Sequence, residues 1–131
     1  MINKCIDTIE QAVADILDGA VVLIGGFGQA GNPTDLIHAL IHQGAKNLTV
    51  VNNNAGNSHI GLASLLEKGR VKKLICTYPR STDSEVVTEL YRKGKIELEV
   101  VPQGTLSESL RAAGAGIGAY YTRTSVGTPL A

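Results

Sequence analysis

The sequence predicts an α/β fold with a mainly parallel sheet and helices on both of its faces. Short apolar runs alternate with amphipathic segments along the whole chain, and most segments end at a glycine. No internal repeat, low-complexity stretch or linker interrupts this alternation. We therefore expect one domain over residues 1–131.

The first helix is expected at residues 7–19. Asp7 and Glu10 have the spacing of a capping box, and Gly19 stands where a helix commonly ends. The run AVVLI at 20–24 is apolar throughout and bounded by glycines. Such a run is typical of a parallel strand that is covered on both faces.

After the following loop, Asn32 is expected to cap a second helix that has Pro33 at its first position and continues to Gly44. The segment LTVVN at 48–52 predicts the second strand. A polar, turn-rich stretch comes next, and a short helix is expected at 60–69.

The same alternation continues in the second half of the chain. A third strand is expected at 72–78, a helix at 82–95 and a fourth strand at 96–101. The segment PQGT is predicted to be a loop before a helix at 107–114, and the fifth strand of a four- or five-stranded sheet would be 117–122.

Composition limits the classes of partner. Lys plus Arg and Asp plus Glu both number 12, so the chain has no basic surface for nucleic acid. The apolar runs have the length of strands, and the N-terminus lacks the apolar core of a signal peptide. We expect a cytoplasmic protein without membrane contact. One Phe and no Trp make a thin core, which favours a protein partner.

The stretch IGGFGQAGNP at 24–33 contains Gly26, Gly28 and Gly31 in the G-x-G-x-x-G spacing of a dinucleotide-binding loop. Two features oppose that interpretation. The next helix begins only after the third glycine, and the second strand is followed by three asparagines instead of the acid that binds ribose. A purely structural turn between strand and helix is the simpler alternative.

Three polar loops follow strands one, two and four: GGFGQAGNP, NNNAGNS and PQGT. In parallel sheets the carboxyl ends of the strands lie at one edge, and ligands bind there. The sequence therefore predicts a site built from these three loops.

Three stretches in the same order resemble the alpha subunit of family I coenzyme A transferases. They are DGAVVLIGGFGQAGNP at 18–33, LTVVNNNAG at 48–56 and LEVVPQGTLSESLRAAGAGIGAYYTRTSVGT at 98–128. The resemblance covers essentially the whole chain. The family's alpha subunit normally continues beyond the final Gly-Thr, so we expect this chain to be the N-terminal part of that fold.

The resemblance implies covalent, ping-pong transfer of coenzyme A from an acyl-CoA to a carboxylic acid. A glutamate attacks the thioester, and the released thiolate then attacks the resulting anhydride to give an enzyme–CoA thioester. In two-subunit members that glutamate lies in a Ser-Glu-Asn-Gly motif of the beta subunit, which this sequence lacks. The implied partner is thus a beta subunit, and the acyl-CoA is a substrate; no tightly bound cofactor is expected.

Gln103 matches the family glutamine whose side-chain amide helps to hold the negative oxygen of the tetrahedral intermediates. Without the resemblance, a glutamine after a strand would be interpreted as a solvated loop residue. The neighbouring Gly104 leaves room for a substrate close to the backbone.

The resemblance makes the glycine turn a wall of the same acyl-CoA cleft; its residues are Gly25, Gly26, Phe27 and Gly28. Asn53 and Asn54 match the family's asparagine pair, as a polar wall, and the role of Asn52 is open. Local Asx turns are an equally good explanation of these asparagines.

The segment Tyr78–Ser84, YPRSTDS, is similar to family members that act on 3-oxoadipate. We expect Arg80 to pair with the distal carboxylate of such a substrate. The alternatives are a surface or interface role for Arg80, acetoacetate as the acceptor, and a non-catalytic α/β binding module.

His38 and His42 have a spacing that suits metal binding, but no third ligand accompanies them. Surface positions are the better interpretation, and no metal is expected.

Overall fold

A four-stranded parallel sheet forms the centre of the molecule, with its strands in the order in which they occur along the chain. The computed structural model describes residues 3–80 and 83–130. The strands are β1 (Val21–Leu23), β2 (Leu48–Val51), β3 (Val71–Cys76) and β4 (Glu97–Val100). The helices are α1 (Ile9–Val13), α2 (Thr34–Gln43), α3 (Leu62–Glu67), α4 (Glu85–Arg92) and α5 (Gln103–Gly114). This arrangement confirms the predicted α/β class.

The two faces of the sheet are covered unequally. Helices α2, α3 and α4 pack against one another in order and form a layer on one face, where α1 also packs against α2. This is the arrangement expected when consecutive parallel strands are joined by crossovers of one hand. Val50 and Leu74, neighbours on β2 and β3, point to this layer and are fully buried. The other face carries α5, which lies over the carboxyl ends of β1 and β2.

Strand β1 departs from its prediction. The apolar run was expected to be covered on both faces, yet Val21 and Leu23 are 63% and 59% exposed. Val22 packs against the core, as do Ala20 and Ile24 on the same side of the run. Val21 and Leu23 point to the face of the sheet opposite the layer of α2, α3 and α4, which we call the open face. On this face the Lys73 ammonium contacts the carboxylates of Glu97 and Glu99 at 2.8 Å each. These ion pairs raise the pKa of Lys73 and lower the pKa of Glu97.

The first helix is shorter than predicted and has a different cap. Thr8, not Asp7, is the N-cap, and its hydroxyl accepts a hydrogen bond from the Gln11 amide at 3.3 Å. The helix ends at Val13, and the next segment continues in single turns, such as the bond from the Ile16 amide to the Val13 carbonyl at 3.2 Å. It is tied to the loop before β2, where the Asp18 carboxylate accepts from the Lys46 amide at 2.7 Å.

The second helix has nearly its predicted bounds, and Gly44 ends it in the left-handed conformation. Its N-cap is Pro33, whereas Asn32 provides only a backbone carbonyl, which accepts from the Thr34 amide at 2.9 Å.

The last two predicted elements also differ. The segment PQGT is not a loop, because the Leu106 amide bonds to the Pro102 carbonyl at 2.9 Å and α5 already begins at Gln103. Residues 117–122 form no strand. Instead the Tyr120 hydroxyl donates to the Thr105 carbonyl at 2.8 Å, which holds this segment against α5. In the described ranges, no helix combines the length and apolar character needed to cross a membrane.

Candidate functional site

A cavity of about 280 Å³ lies at the carboxyl ends of β1 and β2, beneath the first turns of α5. All three of the segments that the sequence singled out contribute residues to it, with PQGT doing so as the start of α5, so their predicted convergence is confirmed. Its lining combines aliphatic side chains with amides: Leu23, Ile24, Gly25, Gly26, Val51, Asn52, Asn53, Gln103, Leu106, Ser107 and Leu110.

The glycine turn contributes its first two residues to the cavity. At Gly26, φ is +120°, and a Cβ there would lie 3.1 Å from the backbone of Asn32, so only glycine fits. Phe27 and Ala30 exchange backbone hydrogen bonds of 2.9 and 3.2 Å around Gly28, which closes a tight turn. Neither Phe27, which is 69% exposed, nor Gly28 lines the cavity.

The three consecutive asparagines have three different roles. Asn52 is buried, and its amide nitrogen donates to the Ile24 carbonyl at 2.6 Å and to the Gly25 carbonyl at 3.3 Å. Its amide oxygen accepts from the Asn54 backbone at 2.8 Å. Asn52 therefore ties the end of β1 to the end of β2.

Asn53 is half-buried and faces the cavity. Its Oδ1 accepts a hydrogen bond from Gln103 Nε2 at 2.6 Å and lies 3.0 Å from the hydroxyl of Thr77. The polar-wall interpretation thus has structural support at this position.

Asn54 is buried, and its Oδ1 accepts from the Gly56 amide at 3.3 Å. This is the local Asx turn that the sequence left open as an alternative. Asn54 does not line the cavity.

Gln103 is the first residue of α5, so the helix fixes its backbone while its exposed side chain reaches back to Asn53. A Cβ added at Gly104 would have no neighbour within 4 Å, so the space beside this residue is open.

Sequence reasoning missed the aliphatic wall that α5 supplies. Leu106 and Leu110 line the cavity, and their spacing of one helical turn was a usable signal. Leu106 was overlooked because the helix was predicted to begin after it. Thr77, which contacts Asn53, carried no recognisable signal.

Arg80 lies in a different place. It is exposed and lines a separate polar cavity, whose other residues come from the start and outer side of α4: Asp83, Ser84, Glu85, Thr88, Glu89 and Arg92. None of these residues lines the Gln103 cavity. Ser81 and Thr82, part of the YPRSTDS segment, lie outside the described residues.

The described residues that line the cavity include no His, Cys, Asp, Glu, Lys or Arg. His38 and His42 are exposed on α2. Within residues 3–80 and 83–130, no three His, Cys, Asp or Glu side chains are arranged to hold a metal ion. Cys76, at the end of β3, is fully buried, and burial raises the pKa of its thiol to about 11.

The described lining can therefore bind and polarise a substrate but offers no acid, base or strong nucleophile of its own. Its amides are neutral hydrogen-bond donors in a partly apolar setting, which suits stabilisation of a developing oxyanion. A reacting carboxylate would have to enter from outside these lining residues.

Comparisons with known proteins agree with this geometry. A family described as Coenzyme A transferase matches residues 6–131. The A subunit of the 3-oxoadipate CoA-transferase from Pseudomonas putida is 56% identical over 131 residues, which are 100% of this chain and 57% of the relative. The A subunit of the succinyl-CoA:3-ketoacid coenzyme A transferase from Helicobacter pylori is 44% identical over 129 residues, 98% of this chain and 55% of the relative. The chain thus spans little more than half the length of these relatives.

A crystal structure with a similar fold is that of an acyl-CoA transferase (YdiF) from Escherichia coli O157:H7. It superposes with a TM-score of 0.75 at 26% sequence identity, over 93% of this chain and 25% of that chain.

Proposed function

The chain belongs to the coenzyme A transferase family, and we propose that it forms part of the alpha (A) subunit of a 3-oxoadipate CoA-transferase. The observation that carries this proposal is the 56% identity to such a subunit along the entire chain, against 44% to the subunit named for 3-ketoacids. The reaction would move coenzyme A from succinyl-CoA to 3-oxoadipate.

In the proposed mechanism this chain binds the acyl-CoA and polarises its thioester carbonyl, and a partner subunit supplies the nucleophile. A partner glutamate attacks the thioester carbonyl, and collapse of the tetrahedral intermediate expels the CoA thiolate and leaves a mixed anhydride. The thiolate then attacks the glutamyl carbonyl and releases the free acid, which gives the enzyme–CoA thioester. The uncharged character of the described cavity lining supports this division of labour.

Gln103 is the proposed oxyanion donor, and it is the one catalytic residue that we assign to this chain. Each tetrahedral intermediate carries a negative oxygen, which a preorganised N–H stabilises more than it stabilises the neutral carbonyl. Gln103 Nε2 has two N–H groups, and the bond to Asn53 Oδ1 uses one of them. The second would meet the substrate oxygen.

The remaining proposed contacts follow the lining of the cavity. Gly25 and Gly26 would approach the acyl-CoA through their backbone, and Asn53 would border the reacting carbonyl beside Gln103. Phe27, Gly28, Asn54 and Gly104 stay predictions of the resemblance, since they lie beside the cavity and not in its lining.

The test is an assay of the protein produced from its native gene together with its partner subunit. We expect 3-oxoadipate-dependent consumption of succinyl-CoA, and a fall in kcat of about 100-fold for Gln103→Ala. Gln43→Ala is a matched control, because this exposed amide on α2 also donates a hydrogen bond through Nε2, to the Ile16 carbonyl, but does not line the cavity. Equal turnover with acetoacetate would favour the 3-ketoacid activity, and no turnover with either acid would favour a non-catalytic binding module.

Arg80 requires a test of its own, because it lines a separate cavity. If it binds the distal carboxylate, Arg80→Met will lower activity towards 3-oxoadipate far more than towards acetoacetate. Arg92→Met is the control, since Arg92 lines the same cavity from α4. Equal losses for both acids would remove Arg80 from the substrate site.

A further inference from the structure

The backbone carbonyl of Asn53 accepts two hydrogen bonds from the residues that follow β3. It accepts hydrogen bonds from the amides of Thr77, at 3.0 Å, and Tyr78, at 3.1 Å. A carbonyl oxygen has two lone pairs, so these two donors satisfy it.

The Thr77 hydroxyl lies between two oxygens of the same residue. Its Oγ1 is 2.8 Å from the Asn53 backbone oxygen and 3.0 Å from Asn53 Oδ1. A hydroxyl has one proton to donate. The backbone oxygen already accepts two N–H groups, whereas Oδ1 has one other donor, Gln103 Nε2. Donation of the hydroxyl proton to Oδ1 is therefore the more favourable hydrogen bond.

We propose that Thr77 is a positioning residue, which fixes the orientation of the Asn53 amide and, through it, that of Gln103. This inference rests on the proposed function, in which Gln103 Nε2 meets the oxyanion. With Oδ1 of Asn53 held as an acceptor by Thr77, Gln103 must offer its nitrogen, at 2.6 Å, and cannot offer its oxygen.

The orientation of the two amides has to be fixed because the Asn53–Gln103 pair has a second, reversed arrangement. An amide pair can be reversed as a unit, with Asn53 donating through Nδ2 to Gln103 Oε1, at no loss of hydrogen bonds within the pair. Reversal would exchange the two terminal atoms of Gln103 and displace its donor by roughly 2 Å. A misplacement of about 1 Å near a reacting centre can cost about 100-fold in rate.

Thr77 contacts a residue of the cavity lining but does not itself line the cavity. It is half-buried and directly follows the buried Cys76. Its substitution therefore removes no group from the cavity lining.

The test compares Thr77→Val with Thr77→Ser in the protein produced with its partner subunit. Valine has the shape of threonine without the proton, and serine keeps the proton. We expect Thr77→Val to lower kcat about tenfold while the KM for succinyl-CoA changes less than about twofold. Thr77→Ser should keep at least about half of the activity. Unchanged kcat in Thr77→Val, or a serine variant as slow as the valine variant, overturns the proposal.

A double-substitution cycle separates positioning from general structural damage. In a Gln103→Ala background Thr77→Val should have no further effect on kcat, because the group it positions is gone. A full tenfold loss in that background would show that Thr77 acts independently of Gln103 and would overturn the proposal.

A spectroscopic measurement tests the positioning role separately from transferase activity. If no transferase activity is found, the proposed function is wrong, but the orientation of Gln103 can still be measured. In ¹⁵N-labelled protein, the side-chain NH₂ resonances of Gln103 should shift in Thr77→Val and stay in place in Thr77→Ser. Resonances that are identical in wild type and Thr77→Val would refute the orienting role.

Discussion

Replacing Asn52 by alanine should destabilise the fold far more than its small size suggests. Two backbone groups in the interior depend on this side chain: the Ile24 carbonyl, at 2.6 Å from Nδ2, and the Asn54 amide, at 2.8 Å from Oδ1. Each buried group that loses its partner costs about 1–3 kcal/mol. The expected loss in free energy of unfolding is therefore about 4 kcal/mol.

Equilibrium urea unfolding at pH 7, followed by far-ultraviolet circular dichroism, measures this loss. Asn53→Ala is the matched control, because the half-buried Asn53 bonds to side chains that water can reach. Its expected cost is about 1 kcal/mol or less. If Asn52→Ala costs no more than Asn53→Ala, then Asn52 does not tie β1 to β2.

Asn52→Asp distinguishes loss of the donor from loss of the side chain. An ionised carboxylate accepts from the Asn54 amide but cannot donate to the Ile24 carbonyl, whereas a protonated one can do both. The folded state should therefore raise the pKa of the introduced carboxyl above its usual value. Stability relative to wild type is then greatest below pH about 4 and falls as pH rises through the raised pKa. A penalty that does not change with pH across the acidic and neutral range would refute this assignment.

Three further predictions concern the core, the glycine turn and the buried thiol. Val50→Ala, on the helix-covered face, should cost about 2–3 kcal/mol in urea unfolding, whereas Val21→Ala, on the open face and 63% exposed, should change stability by about 0.5 kcal/mol or less. Gly26→Ala should cost about 2 kcal/mol in the same measurement, since φ is +120° and the added Cβ meets backbone at 3.1 Å. Burial raises the pKa of Cys76 from 9.0 to about 11, so the unfolded thiol ionises first. The unfolding free energy should therefore fall by about 3 kcal/mol through this group as pH rises across that window, and Cys76→Ala should remove this part of the slope.

The convergence of the site could be predicted because it depends only on strand direction. Parallel strands end at one edge, so loops far apart in sequence meet there, as Asn53 and Gln103 do. The separate roles of Asn52, Asn53 and Asn54 could not be predicted. Side chains along an extended segment alternate in direction, and three identical residues give no sign of which one faces the cavity.

The open face of β1 was mispredicted for a related reason. An apolar run such as AVVLI indicates that both faces of a strand are apolar, but not that anything covers them. The handedness of the crossover connections and the order of the strands decide which faces are covered. With consecutive strands and crossovers of one hand, the covering helices gather on a single face, and Val21 is left exposed.

The position of the cavity follows from the one point in the described chain where consecutive helices lie on opposite faces. Here that change occurs after β4, since α4 packs with the other helices and α5 lies on the open face. Gln103, at the start of α5, thereby reaches the end of β2 and not the end of its own preceding strand. Leu106 and Leu110 line the cavity together with Leu23 and Val51, so the carboxyl end of the open face is itself a wall of the cavity. Replacing Leu23 or Val51 by a polar residue should consequently weaken substrate binding more than it lowers the stability of the fold.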